Sequence, residues 1–211
     1  MNGCWTRVRN ALGFAVVAPL VFAASAVAQE PATTDATAET CKAPSLEQPF
    51  GVLGDNRDYV LAPGGAFEDP TAPGWALSGG ATVVDTTDPL ALGSSGDSNS
   101  LSLPAGSSAV SPTMCVDLNY PTLRFLGSQF VDKNAGLRIE VFYPKDPKEE
   151  WRKTTTVKAE AEDGWHATKD VDVRPEIGGK TPGWRLVALR FTAEDKGTWL
   201  IDDVYVDPRM K

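Results

Sequence analysis

From Tyr59 to Val206 the chain is a succession of short alternating runs of apolar and polar residues, cut apart by clusters of Gly, Pro, Asn and Asp, and no stretch sustains a helical period. A chain patterned this way folds as stacked antiparallel sheets. The runs expected as strands are Tyr59–Leu61, Phe67–Glu68, Trp75–Ser78, Ala81–Asp85, Ser100–Leu103, Ala109–Leu118, Thr122–Phe130, Leu137–Tyr143, Thr154–Lys158, His166–Val173, Arg185–Thr192 and Thr198–Val206. With no internal repeat, they fit one all-β domain: an antiparallel two-sheet β-sandwich.

Side chains alternate across a strand, so each run names its buried face. Leu137, Ile139 and Val141 share one side, as do Val187, Leu189 and Phe191, and Leu123 with Phe125. These are the expected core. The opposite sides carry Arg124, Arg138, Glu140, Phe142 and Arg190, a polar surface punctuated by charge and aromatic rings. The last run breaks the alternation at Ile201-Asp202-Asp203-Val204, and a bulge at the Asp pair would turn Ile201, Val204 and Val206 inward together.

Residues 1–28 hold Arg7 and Arg9, an apolar run from Ala11 to Ala24 and the small-residue end Ala26-Val27-Ala28, the pattern of a secretory signal peptide. Residues 29–40, rich in Thr, Pro and acids, read as a disordered spacer. Residues 41–56 form a lead-in segment and 57–208 the sandwich domain. Losing Arg7 and Arg9 moves the net charge from −8 to near −10, which argues against nucleic acid, whose binding needs clustered Lys and Arg. Cys4 leaves with the signal, and the remaining pair, Cys41 and Cys115, most simply forms one disulfide in an exported chain.

Phe67-Glu68 followed by Gly74-Trp75 at one end, and Ile201-Asp202-Asp203-Val204 at the other, resemble the two ends of the galactose-binding-like jelly rolls that include the family 4, 9 and 22 carbohydrate-binding modules. The resemblance implies that the first and last strands lie side by side and share one structural calcium ion, with Glu68 and Asp202 among its ligands and backbone carbonyls completing the oxygen shell. A nearer likeness joins Cys41, Pro63-Gly64-Gly65-Ala66-Phe67-Glu68 and Ser100-Leu101-Ser102-Leu103-Pro104 to a group of exported actinobacterial proteins. It implies no particular activity.

Trp75 and Trp199 are expected in the core. Trp151 and Trp165, at strand starts, are candidates for a sugar-stacking surface with Arg124, Arg138, Glu140 and Arg190, because the apolar face of a pyranose packs on a ring while polar side chains reach its hydroxyls. The same Arg and Glu residues read more readily as cross-strand ion pairs on a wet face. Catalysis is not expected: the one histidine, His166, lies on a strand, and Gly96-Asp97-Ser98-Asn99 has no late Asp-x-x-His to serve as base for its serine. The leading reading is a secreted, non-catalytic module that binds a polysaccharide or cell-wall glycan. The alternative is an extracellular protein-interaction module on the same scaffold, with no membrane association once the signal is removed.

Overall fold

The computed structural model describes residues 44–90, 92, 97–117, 121–129, 135–144, 151–158, 164–173, 184–194 and 196–207. The segments expected as signal and spacer, and Cys41, lie outside them. In chain order the strands are β1 (Val60–Leu61), β2 (Ala76–Ser78), β3 (Thr82–Asp85), β4 (Asn99–Pro104), β5 (Ser108–Val110), β6 (Met114–Asp117), β7 (Thr122–Gln129), β8 (Gly136–Phe142), β9 (Arg152–Lys158), β10 (His166–Ala167), β11 (Val171–Asp172), β12 (Trp184–Ala193) and β13 (Thr198–Asp207). One sheet runs β10-β7-β13-β4-β3, with β1 added beside β13 and β11 beside β7. The other runs β2-β5-β12-β8-β9, with β6 beside β12. All pairings are antiparallel.

The core is the apolar set read from the alternation. Leu101, Leu103, Leu123 and Phe125 of the first sheet pack against Leu137, Ile139, Val141, Val187, Leu189 and Phe191 of the second. Phe191 sits at its centre, edge-on to Phe125 at 5.6 Å between ring centroids and 6.0 Å from Trp75. On β13, Ile201, Val204 and Val206 all enter this core, because the register against β7 shifts between Asp202 and Tyr205. Asp203 takes the left-handed conformation there, at φ 50°. Asp bears that backbone at a cost of about 1 kcal/mol, since its short side chain tolerates it better than most.

Three expected strands differ, each for a local reason. Ala109–Leu118 is two strands, β5 and β6, parted by Pro112, which has no N–H to give to a ladder. His166–Val173 is likewise two, β10 and β11: between them the Phe125 amide donates to the Thr168 hydroxyl at 3.2 Å instead of to a strand carbonyl. Phe67–Glu68 is no strand at all. Phe67 has φ 50° and closes the turn that begins at Pro63, dropping its ring against Trp75 at 4.9 Å. Gly65 makes that turn possible, for a Cβ there would meet the Val204 carbonyl of β13 at 3.1 Å.

The lead-in segment is more than a tether. A short 3-10 turn over Pro49–Leu53 inserts Phe50, fully buried, between Tyr59 and Tyr205 on the outer side of the first sheet. Leu126 completes that second apolar cluster, and Leu61, Trp165 and Ala167 pack on it.

Phe191→Ala should destabilise the fold by about 3–5 kcal/mol, since the aromatic junction between the sheets would be left as a cavity. Urea unfolding of the purified chain measures it, and a loss under about 1 kcal/mol would contradict this core.

Candidate functional site

The turn from Pro63 to Phe67 delivers Glu68 to the mouth of the β3–β4 connection. Its carboxylate accepts from the Ser98 amide at 3.1 Å, the Ser98 hydroxyl at 2.9 Å and the Asn99 amide at 3.3 Å. Burial works to raise the Glu68 pKa, and these donors from Ser98 and Asn99 outweigh it, leaving the group lowered and charged. Asn99 also donates its side-chain amide to the Glu68 carbonyl at 3.2 Å. The loop and the turn are thereby held as one piece.

Next to Glu68 stands Asp97, and one side-chain oxygen from each of Asp88, Asp97 and Asp202 lies within 4.8 Å of the others. Asp202 is brought there by the β13 bulge, where it accepts from the Asp203 amide at 2.8 Å and the Ser100 hydroxyl at 3.0 Å. Asp88 accepts from the Leu90 amide at 2.6 Å. Asp97 differs. Both its carboxylate oxygens are buried with no hydrogen bond from a described residue, and the groups that face it are the carboxyls of Asp88 and Glu68 and the charge of Asp202.

Carboxylates repel one another and can hydrogen-bond together only when one is protonated; a cation between them relieves the same repulsion by coordinating an oxygen of each. Without a cation, burial first and then Asp88, Asp202 and Glu68 push Asp97 up to about 9. Burial likewise raises Asp202 to about 8, helped by the Asp203 charge, and Asp203 to about 6, helped by Asp88. A calcium ion fits the same observation. It takes hard oxygen ligands at roughly 2.3–2.6 Å, so oxygens that lie within 4.8 Å of each other can share one ion.

Glu68 and Asp202, the two residues singled out in the sequence, are thus brought to one place, both facing Asp97. Asp88 and Asp97 were not singled out. The signal for Asp97 was the sequence Gly96-Asp97-Ser98-Asn99 itself, whose Ser and Asn amides orient Glu68 rather than build a nucleophile.

The six residues suggested for a ligand surface do not form one face. β8 and β12 lie in the second sheet, where Arg190 donates to Glu140 at 2.7 Å, Arg138 lies 3.6 Å from the same carboxylate, and the Arg190 guanidinium sits 4.5 Å from the centre of the Trp151 ring. Phe142 packs beside Trp151 at 5.3 Å. Arg124 and Trp165 lie on the outer side of the other sheet, beneath the lead-in segment, because β7 turns Phe125 to the core and therefore Arg124 away from it. Arg124 pairs there with Asp55 at 2.6 Å and covers the Phe50 ring at 4.4 Å. Arg57 joins the same Asp55 at 2.7 Å and reaches Asp170 with two further 2.7 Å bonds. Hydrogen bonds from Arg57, then from Tyr59 and Arg124, overcome burial and hold the Asp55 pKa well below the usual carboxylate range.

No family model matches the chain, and no curated protein does. Among solved structures it is similar to the xylan-binding CBM22-1 domain of a Paenibacillus barcinonensis protein, with 16% identity, TM-score 0.46, and coverage of 74% of this chain and 97% of that one. It is also similar to a family 16 carbohydrate-binding module, with 12% identity, TM-score 0.44, and coverage of 67% and 95%. The K3 adhesin domain of Lys-gingipain from Porphyromonas gingivalis matches with 18% identity, TM-score 0.43, and coverage of 70% and 98%.

In metal-free protein the raised carboxyls of Asp97, Asp202 and Asp203 make the folded chain hold more protons than the unfolded chain, whose aspartates titrate near 3.9. Their contribution to stability is complete below about pH 4 and is lost as pH climbs towards 9. Melting temperature measured in excess chelator should therefore fall across that window. The fall should be smaller in Asp97→Asn, and a flat profile in the parent chain would contradict the cluster.

Proposed function

We propose that this chain is an exported, non-catalytic module that binds a neutral polysaccharide or cell-wall glycan on the outer side of the second sheet, with one structural calcium joining its two ends. The observation that carries the binding reading is Trp151, a half-exposed ring flanked by Phe142 and by the Arg190–Glu140 pair. An aromatic surface bordered by fixed donors and acceptors suits a pyranose: the ring offers apolar contact, and the guanidinium and carboxylate offer hydrogen bonds to hydroxyls. Because Glu140 is held by Arg190, the surface is preorganised and little ordering cost remains on binding.

Export is supported by the signal-like first 28 residues. The staple pairs Cys115, on β6, with Cys41, which lies outside the described residues; it is supported by these two being the cysteines left in an exported chain. Calcium is supported by the buried, donor-less carboxylate of Asp97 among Glu68, Asp88 and Asp202. Its role would be electrostatic cross-linking of the first turn, the β3–β4 connection and β13. No reaction step is assigned to it.

A second reading, a protein-interaction module, is favoured by one observation. Glu140 faces both Arg138 and Arg190, so part of the sheet surface is already satisfied as ion pairs, which suits a flat protein partner as well as a glycan.

Two outcomes follow. On a glycan array of plant, bacterial and fungal polymers the mature chain should bind at least one class, and Trp151→Ala should weaken that binding at least tenfold with an unchanged melting temperature; failure on every polymer would favour the second reading. Adding calcium to chelated protein at pH 8 should raise the melting temperature by several degrees, and by little at pH 4.5, where protons occupy the cluster. No rise at pH 8 would remove calcium from the proposal.

A further inference from the structure

Between the β9 edge of the second sheet and the β10–β11 edge of the first lies a cavity of about 610 Å³. None of the residues proposed above for glycan or calcium lines it. Val157, Ala167, Val171 and Trp199 give it apolar walls, and it reaches the surface at Lys158, Gly164 and Lys169, all exposed. The two edges that flank it are unequal. β10 and β11 have two residues each, whereas β9 runs for seven.

β9 is bonded to β8 alone, so the N–H and C=O groups that alternate onto its far side meet no strand among the described residues. An edge of that length is a template for another strand. Its composition selects which strand. β9 reads Arg152-Lys153-Thr154-Thr155-Thr156-Val157-Lys158, basic at both ends with no acid, in a chain of net charge −8. Lys169 adds to this charge across the cavity. Of the acids nearby, Asp170 is held by Arg57 at 2.7 Å and has Arg124 at 3.9 Å, and Glu194 stands 3.8 Å from Lys158, too far for a hydrogen bond; Asp172 is the other acid of the lining. Antiparallel pairing of two β9 strands centred on Thr155 would set Lys158 of one copy against Arg152 of the next. Like charges directly opposite are destabilising, which argues against a second copy as the occupant.

We propose that this edge is the docking site for an extended acidic peptide of a partner protein, which adds to β9 as a further strand, sets one aliphatic side chain into the cavity and places carboxylates beside Lys158 and Lys169. Val157 fixes which side chains turn inward, since it packs towards the core and a residue opposite it on the added strand points the same way. Backbone bonds along the edge supply affinity, while the cavity and the lysines select sequence. The site is separate from the outer sheet face and stands whether or not that face binds a glycan.

The test is selection from a displayed library of random linear peptides, each as long as β9, on the mature chain, followed by amide hydrogen exchange of the chain with the enriched peptide. The selected sequences should be rich in Asp and Glu, alternate these with aliphatic residues and lack Pro. In the free chain the amides of β9 that point away from β8 should exchange fast, and the peptide should slow them at least tenfold. The double variant Lys158→Glu, Lys169→Glu should bind that peptide at least tenfold more weakly at an unchanged melting temperature, because both side chains are exposed. Its polymer binding on the array should match the parent, which separates this edge from the sheet face. Three results would each overturn the proposal: a library that enriches no peptide or no acidic bias, an enriched peptide that leaves β9 exchange unchanged, or β9 amides already protected throughout in the free chain, which would mean that a segment of the chain itself covers the edge.

Discussion

The one constraint on which the rest depends is the bulge in β13. Without the extra residue between Asp202 and Tyr205, a strand that buries Ile201 would turn Val204 and Val206 outward and drive Asp203 into an apolar core. The shift does two things at once. It keeps the hydrophobic seam continuous through the central strand of the first sheet, and it gathers the local polarity on the other side, where Asp202 meets Asp88 and Asp97. The price is a left-handed Asp203 and a set of crowded carboxyls, and both are met by neighbours: the Val204 amide bonds the Gly65 carbonyl, and Ala62 returns the bond to Val204.

Those backbone bonds bring the start of the domain to its end. β1 pairs with β13 at Val60↔Val206 and Leu61↔Tyr205, and the following turn is shaped by the contact of Gly65 with the bulge. Strand pairing, the turn and the acidic cluster are therefore consequences of one another. Charge repulsion in the cluster is the weak point of this arrangement, and protonation or a cation relieves it in the same way, by removing or offsetting negative charge that burial has made expensive.

Much of this was legible in the residues. Alternation alone identified the core of β7, β8 and β12, and the broken alternation identified the bulge, because a period of two leaves no other way to bury Ile201 and Val204 together. What could not be read was which runs share a sheet. Arg124 and Arg190 look alike in sequence, each polar between two core residues, yet β7 and β12 belong to different sheets and the two side chains point away from opposite faces of the molecule. Asp88 and Asp97 were hidden for a related reason: their role comes from the fold of a connection around Glu68, and no local period records it. The depth of Trp199, by contrast, could be read from its place on the closing strand.

The lead-in segment carries an implication for where the independently folding unit begins. Phe50 fills the space between Tyr59 and Tyr205, and Asp55 gathers Arg57, Arg124 and the Tyr59 hydroxyl. A chain trimmed to the start of the first strand would lose Tyr59 along with Phe50, uncover Leu126 and Tyr205 and strand Arg124 beside them. The minimal stable fragment therefore starts upstream of the sandwich proper, and the shortened version would self-associate through a newly bared aromatic patch.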